Sequence, residues 1–209
     1  MTDYHDYLII LSPSESITGR VKKLKDFTAG IIGEFESRHS TAHITVQPWF
    51  RKRSAWIDPI LPKLERDMQS LSPLILDING FDFFSHKDHY TIYAKLNSSP
   101  LTNAWLKQLR KFFNVNNLVP HITIAKSIPA GSFNKLWPSF KNSEWNEQCT
   151  IDKLTILRRE TIGYHRSYQI YKQISFNRNI DFYAFANSKL KITQSPISNN
   201  INLQQISLF

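Results

Sequence analysis

Ala42-His43-Ile44-Thr45-Val46 and Pro120-His121-Ile122-Thr123-Ile124 decide how this chain is read. Each is a short run of β-formers in which polar and apolar residues alternate. Successive side chains of a strand point to opposite faces. In each copy the histidine and threonine therefore share one face, and the intervening isoleucine with its second apolar partner takes the other. Each strand turns a polar pair outward and an apolar pair into a core. His-x-Thr also occurs at His39-Ser40-Thr41 and His89-Tyr90-Thr91. His39 sits in polar sequence and reads as loop. His89 opens a believable strand, but it follows a strand and a turn, whereas His43 and His121 each follow a long amphipathic helix.

Working outward, YLIIL at 7–11 reads as a strand stopped by Ser-Pro-Ser. Ile17, Val21, Leu24, Phe27, Ile31 and Phe35 recur at helical spacing and predict one buried stripe. Pro48 is expected to end the first His-Ile-Thr strand. A second helix is expected over 59–71, strands over 74–84 and 89–96, and a helix over 101–113. A short helix follows at 133–140, weakened by Pro138. Residues 150–160 and 168–176 read as an antiparallel pair around Ile162-Gly163-Tyr164. This order predicts an α+β fold with two similar lobes, each holding one His-Ile-Thr strand. The second lobe lacks an obvious first strand unless 89–96 serves both. The lobes are expected to occupy residues 1–180, and 181–209 to form a flexible tail rich in Asn, Ser and Gln.

The chain has 209 residues, 41% hydrophobic and 21% charged, which is enough apolar sequence for a packed core and excludes wholesale disorder. No run approaches the roughly 18 apolar residues of a membrane helix, and the N-terminus reads as a strand, so a cytoplasmic protein without membrane contact is expected. Lys and Arg number 26 against 17 Asp and Glu, a net charge of +9 that favours a polyanionic partner. The single cysteine, Cys149, allows neither an internal disulfide nor a CxxC zinc site. Dinucleotide, P-loop and zincin motifs are absent. No metal and no cofactor is expected.

If the lobes face each other, two imidazoles and two hydroxyls meet. Imidazole titrates near neutrality, so one ring can accept a proton while the other donates one. The hydroxyls of Thr45 and Thr123 can donate to phosphoryl oxygens. In-line displacement at phosphorus needs a base on one side and an acid on the other, and two histidines on facing walls supply both.

The two motifs, AHITV and PHITIAK, stand 78 positions apart, and LTILRRETIGYHRSYQIYKQISF follows as a closing hairpin. With these features, roughly residues 4–178 resemble the 2H phosphoesterases, which include LigT-like 2′-5′ RNA ligases and 2′,3′-cyclic phosphodiesterases. The resemblance implies a bilobal duplicated fold, with two mostly antiparallel sheets flanking a cleft and helices outside. It implies His43, Thr45, His121 and Thr123 as catalytic residues. His43 would protonate the leaving 3′ oxygen and His121 would activate water, leaving a 2′-phosphate; a 5′-hydroxyl at the same site gives a 2′-5′ linkage. The substrate would be RNA or a cyclic-phosphate nucleotide. Lys126 stands where such proteins often carry Arg, a point charge in place of a planar fork. Arg51, with Trp49 as a stacking surface, and Tyr168 at the start of the last strand are the remaining candidate substrate contacts.

The chain ends in Gln205-Ile206-Ser207-Leu208-Phe209. This resembles the QLSLF-type peptide with which bacterial replication and repair proteins engage the DNA sliding clamp. Ile206, Leu208 and Phe209 would fill apolar pockets while Gln205 makes hydrogen bonds. The alternative function is therefore a nucleic-acid-binding or clamp-recruited accessory protein with little catalysis. A monomer is expected.

Overall fold

The computed structural model describes residues 3–97, 99–115, 118–162 and 167–177. The expected tail, with Gln205, Ile206, Leu208 and Phe209, lies outside the described residues, as do Gly163 and Tyr164 of the expected turn. In chain order the elements are β1 (Tyr4–Leu11), α1 (Glu15–Ile32), β2 (Ile44–Arg53), α2 (Ser54–Ile57), α3 (Leu61–Gln69), β3 (Leu74–His86) and β4 (His89–Leu96). Then come α4 (Pro100–Phe113), β5 (His121–Pro129), α5 (Ala130–Lys141), β6 (Asn146–Ile151), β7 (Lys153–Glu160) and β8 (Gln169–Ser175).

Two four-stranded antiparallel sheets result, ordered β2-β1-β7-β8 and β5-β4-β3-β6. The expected two-lobed α+β fold is present, but the strands are shared out differently. Residues 74–96 belong to the second sheet, and the closing pair returns to the first. The stretch 150–160 is two strands, broken at Asp152: β6 pairs with β3, and β7 pairs with β1. The duplication then holds in topology, for β1-α1-β2 corresponds to β4-α4-β5. The strand at 89–96 is thus the second lobe's missing first strand. Both His-Ile-Thr segments fall on edge strands, and those two edges lie against each other.

Local chemistry sets the boundaries. Ser99 caps α4, accepting from the Thr102 N–H at 3.0 Å, and Pro100 follows at the first helical position. Asn114, in the left-handed conformation, ends that helix. Gly33, at φ 79°, ends α1. Pro48 does not stop β2, which runs on to Arg53. An edge strand has one unpaired side, so a residue without an N–H fits there. Pro138 likewise sits inside α5.

The buried stripe of α1 is rotated from the expected one. Ile17, Val21, Lys25 and Thr28 are buried, while Phe27 and Ile31 are largely exposed. The rotation follows from where α1 docks: it packs on β5 and α5, across the boundary between the lobes. The apolar sides of both sheets join one continuous core, from Ile9, Leu11, Ile44 and Ile156 to Ile92, Ile122, Ile124 and Leu136. Cys149 is buried on β6, where burial pushes its thiol up, away from nucleophilic use.

Candidate active site

Alternation places the site. Ile44 and Val46 are buried while His43 and Thr45 are half-buried; Ile122 and Ile124 are buried while His121 and Thr123 are half-buried. His43 stands one residue before β2 and His121 opens β5. Thr45 pairs with Ile10, and Thr123 with Tyr93.

The rings are held in the same way. Nδ1 of His43 lies 2.8 Å from the Thr41 carbonyl, and Nδ1 of His121 lies 2.8 Å from the Val119 carbonyl. A carbonyl can only accept, so each Nδ1 carries the hydrogen and each Nε2 is left for chemistry. Phe84 and Tyr93 wall His121, with ring centroids at 5.0 and 5.2 Å.

Electrostatics connect the two rings. Burial lowers the pKa of His43, the Thr41 carbonyl opposes it, and the positive charges of Lys25, His121 and Lys126 lower it further. His121 is lowered by burial against the pull of the Val119 carbonyl. The two imidazoles are thus close enough for one to resist the charging of the other. His89 takes no part. It opens β4 opposite Pro129, six residues or roughly 20 Å of strand from Lys95, the partner of His121. Among the described residues no three His, Cys, Asp or Glu side chains converge as a metal site requires.

Residues 13–163 match the family model described as the 2′-5′ RNA ligase superfamily. The chain belongs to that superfamily. No curated protein matches it. Among solved structures, TT0787 of Thermus thermophilus is similar at 14% identity, over 84% of this chain and 100% of that one, with a TM-score of 0.64. E. coli LigT complexed with 3′-AMP is similar at 9% identity, over 84% of this chain and 99% of that one, with a TM-score of 0.56. E. coli LigT in apo form gives 8% identity and a TM-score of 0.55, over 84% of this chain and 99% of that one. At such identities the likeness concerns the fold, and the site must be read from this superfamily member's own residues.

The other candidate residues scatter. Lys126 lies near the histidines: its charge acts on His43, while its ammonium pairs with Glu36 at 2.8 Å. Trp49 pairs with Tyr7 and packs between Trp56 and Phe113, with centroids at 5.1 and 6.0 Å, so it is a packing residue and not an open stacking surface. Arg51 is exposed, at φ 53°, and its N–H donates to the Asp6 carboxylate at 3.1 Å. Asp6 is four residues, roughly 13 Å of strand, from the Ile10 that pairs with Thr45. Tyr168 lies at that same remote end, with the Arg159 guanidinium 4.7 Å over its ring. The sequence reading did not single out Lys25. Its Nζ donates to the carbonyls of Ser37 and Ser40 and to the Ser40 hydroxyl, each at 2.7 Å. The signal was available, for Lys25 stands four residues after Val21, on the face that Ile17 and Thr28 also bury.

Proposed function

We propose that this superfamily member opens 2′,3′-cyclic phosphates, or makes and breaks 2′-5′ bonds, in RNA or nucleotides by two-histidine acid–base catalysis without a metal. One observation carries the reading: matched His-x-Thr segments, on two edge strands that lie together, whose rings are held alike through Nδ1 and in which the charge of His121 acts on His43. In hydrolysis one Nε2 takes a proton from water as its oxygen attacks phosphorus. The other Nε2–H protonates the 3′ oxygen as the P–O3′ bond breaks, leaving a 2′-phosphate and a 3′-hydroxyl. With a 5′-hydroxyl in place of water, the same transfers leave a 2′-5′ linkage. The hydroxyls of Thr45 and Thr123 and the charge of Lys126 would hold the phosphoryl oxygens. The net charge of +9 suits a polyanionic substrate.

The surroundings also divide the labour. His43 faces Lys25, His121 and Lys126, whose positive charges add to burial in favouring its neutral form, and His121 faces an aromatic wall; this suits His43 to the role of base. His121 is then the acid, the reverse of the roles implied by resemblance. A base with the lower pKa and an acid with the higher one maximise the correctly protonated fraction.

His43→Ala and His121→Ala should each lower turnover of a 2′,3′-cyclic mononucleotide by about 10²–10⁴-fold. The double variant should fall little further than either single one, because the two groups act as a unit. EDTA should change nothing. Turnover retained in both single variants would remove the mechanism.

A further inference from the structure

The hydrogen bond at Nδ1 is only the last link of a device present twice. In the first half, Thr41 O, two residues before His43, accepts from the ring. Ser40 O, three residues before His43, accepts from Lys25 Nζ of α1 at 2.7 Å. In the second half, Val119 O, two residues before His121, accepts from the ring. Leu118 O, three residues before His121, accepts from Arg110 Nη2 of α4 at 2.6 Å. Each helix that precedes a His-Ile-Thr strand therefore sends one cationic side chain to the same backbone position. The two carbonyls involved lie on consecutive peptide planes, and only one φ and one ψ separate them. Clamping the first restricts the second, and the second determines which ring nitrogen bears hydrogen.

The first clamp is also tied to the opposite strand. Lys25 holds Ser37 O as well, at 2.7 Å. The Ser37 hydroxyl donates to Ile124 O at 3.2 Å and accepts from the Lys126 N–H at 3.0 Å. Lys25 and Ser37 are both buried. The turn before His43 is thereby fastened to β5, three residues beyond His121.

We propose that Lys25 and Arg110 are paired positioning residues, each clamping the loop before one histidine so that its Nδ1 is bonded to the backbone and its Nε2 faces the substrate. Ser37 ties the first clamped loop to the strand that His121 opens. The catalytic consequence rests on the phosphoesterase reading; the effect on the tautomers does not.

The experiment combines long-range ¹H–¹⁵N spectra of the histidine rings with steady-state kinetics on a 2′,3′-cyclic mononucleotide. It uses the full chain and the variants Lys25→Met, Lys25→Arg, Arg110→Met and Arg110→Lys. In the unsubstituted chain both neutral rings should be Nδ1–H tautomers. Lys25→Met should mix the tautomers of His43 and leave His121 unchanged; Arg110→Met should do the converse. Each Met variant should lose about tenfold to a hundredfold in kcat with KM nearly unchanged, since misplacement by about an ångström has that scale. The Lys25→Arg and Arg110→Lys variants should recover most of it. If both Met variants keep pure Nδ1–H tautomers and kcat within about twofold, the proposal is overturned, whatever happens to their thermal stability. Should Lys25→Met fail to fold, Arg110→Met decides alone, because Arg110 is only half-buried. If His43→Ala and His121→Ala remain active, the phosphoesterase reading fails while the tautomer spectra still answer for the clamps.

Discussion

Asp6→Ala isolates one buried charge. Asp6 lies on β1 and is 5% exposed. One carboxylate oxygen accepts from the Arg51 N–H at 3.1 Å and the Thr161 hydroxyl at 2.9 Å. The other meets Arg159, with Nε and Nη2 both at 3.1 Å. Burial raises the pKa of this carboxyl, but the Arg51 N–H, the Thr161 hydroxyl and Arg159 outweigh burial and hold it below 3.8. Removal strands three donors at once, on β2, on β7 and just past the end of β7. Hydrogen bonds to a charged acceptor contribute about 1.5–3 kcal/mol each. Arg159 and Thr161 are partly exposed and recover water in the variant, so the sum falls to about 3 kcal/mol. For a domain of this size that lowers Tm by about 6–12 °C. Because the folded pKa is depressed, this stability is complete above the unfolded value near 3.8 and is lost as pH falls through the folded value. Urea unfolding followed by tryptophan fluorescence at pH 7, 5 and 3 measures it. The gap between Asp6→Ala and the unsubstituted chain should be full at 7 and 5 and smaller at 3. A gap below about 1 kcal/mol at pH 7, or one undiminished at pH 3, would refute the reasoning.

Two further predictions are accessible to simple assays. Since both histidines are lowered from 6.5, kcat/KM should follow a bell whose rising limb, set by neutral His43, lies on the acid side of 6.5; a limb above that value would contradict the electrostatic assignment. If the C-terminal peptide engages a sliding clamp, co-elution of the full chain with bacterial clamp should disappear on deletion of 203–209, with turnover unaffected; unchanged co-elution dismisses the peptide.

Periodicity made the face shared by each histidine and threonine legible and left the sheet neighbours obscure. In His-Ile-Thr the period of two decides which side chains share a face without any knowledge of partner strands, and burial follows it at all four positions of both motifs. Pairing is a non-local property. Nothing in 150–160 distinguishes a single eleven-residue strand from two strands in different sheets, because β-branched residues stand on both sides of Asp152 and no Gly or Pro breaks the run. Asp152 is where the chain passes from β6 to β7, and its carbonyl accepts from the Phe176 N–H at 2.8 Å. Trp49 illustrates the same limit. Its neighbours Trp56 and Phe113 come from α2 and α4, and no local pattern says that an aromatic beside two cations will face them. Lys25 escaped notice for the opposite reason: a lysine on a helix is expected at the surface, and the carbonyls that accept its hydrogens belong to a turn of no regular pattern.

Duplication alone would give two equivalent rings, which is a poor arrangement for chemistry that needs one proton donor and one acceptor. The departure from symmetry lies in the clamps. Arg110 is half-buried, while Lys25 is sealed among Ser37, Ser40 and the core, where burial pushes its ammonium down to about 8. Three oxygen acceptors at 2.7 Å keep it protonated at neutral pH. A positive charge screened by little water acts strongly on its neighbours, and it lies beside His43. The same hydrogen-bond plan, executed once with a buried lysine and once with a half-buried arginine, therefore offers both rings the same backbone acceptor while setting a buried positive charge beside His43.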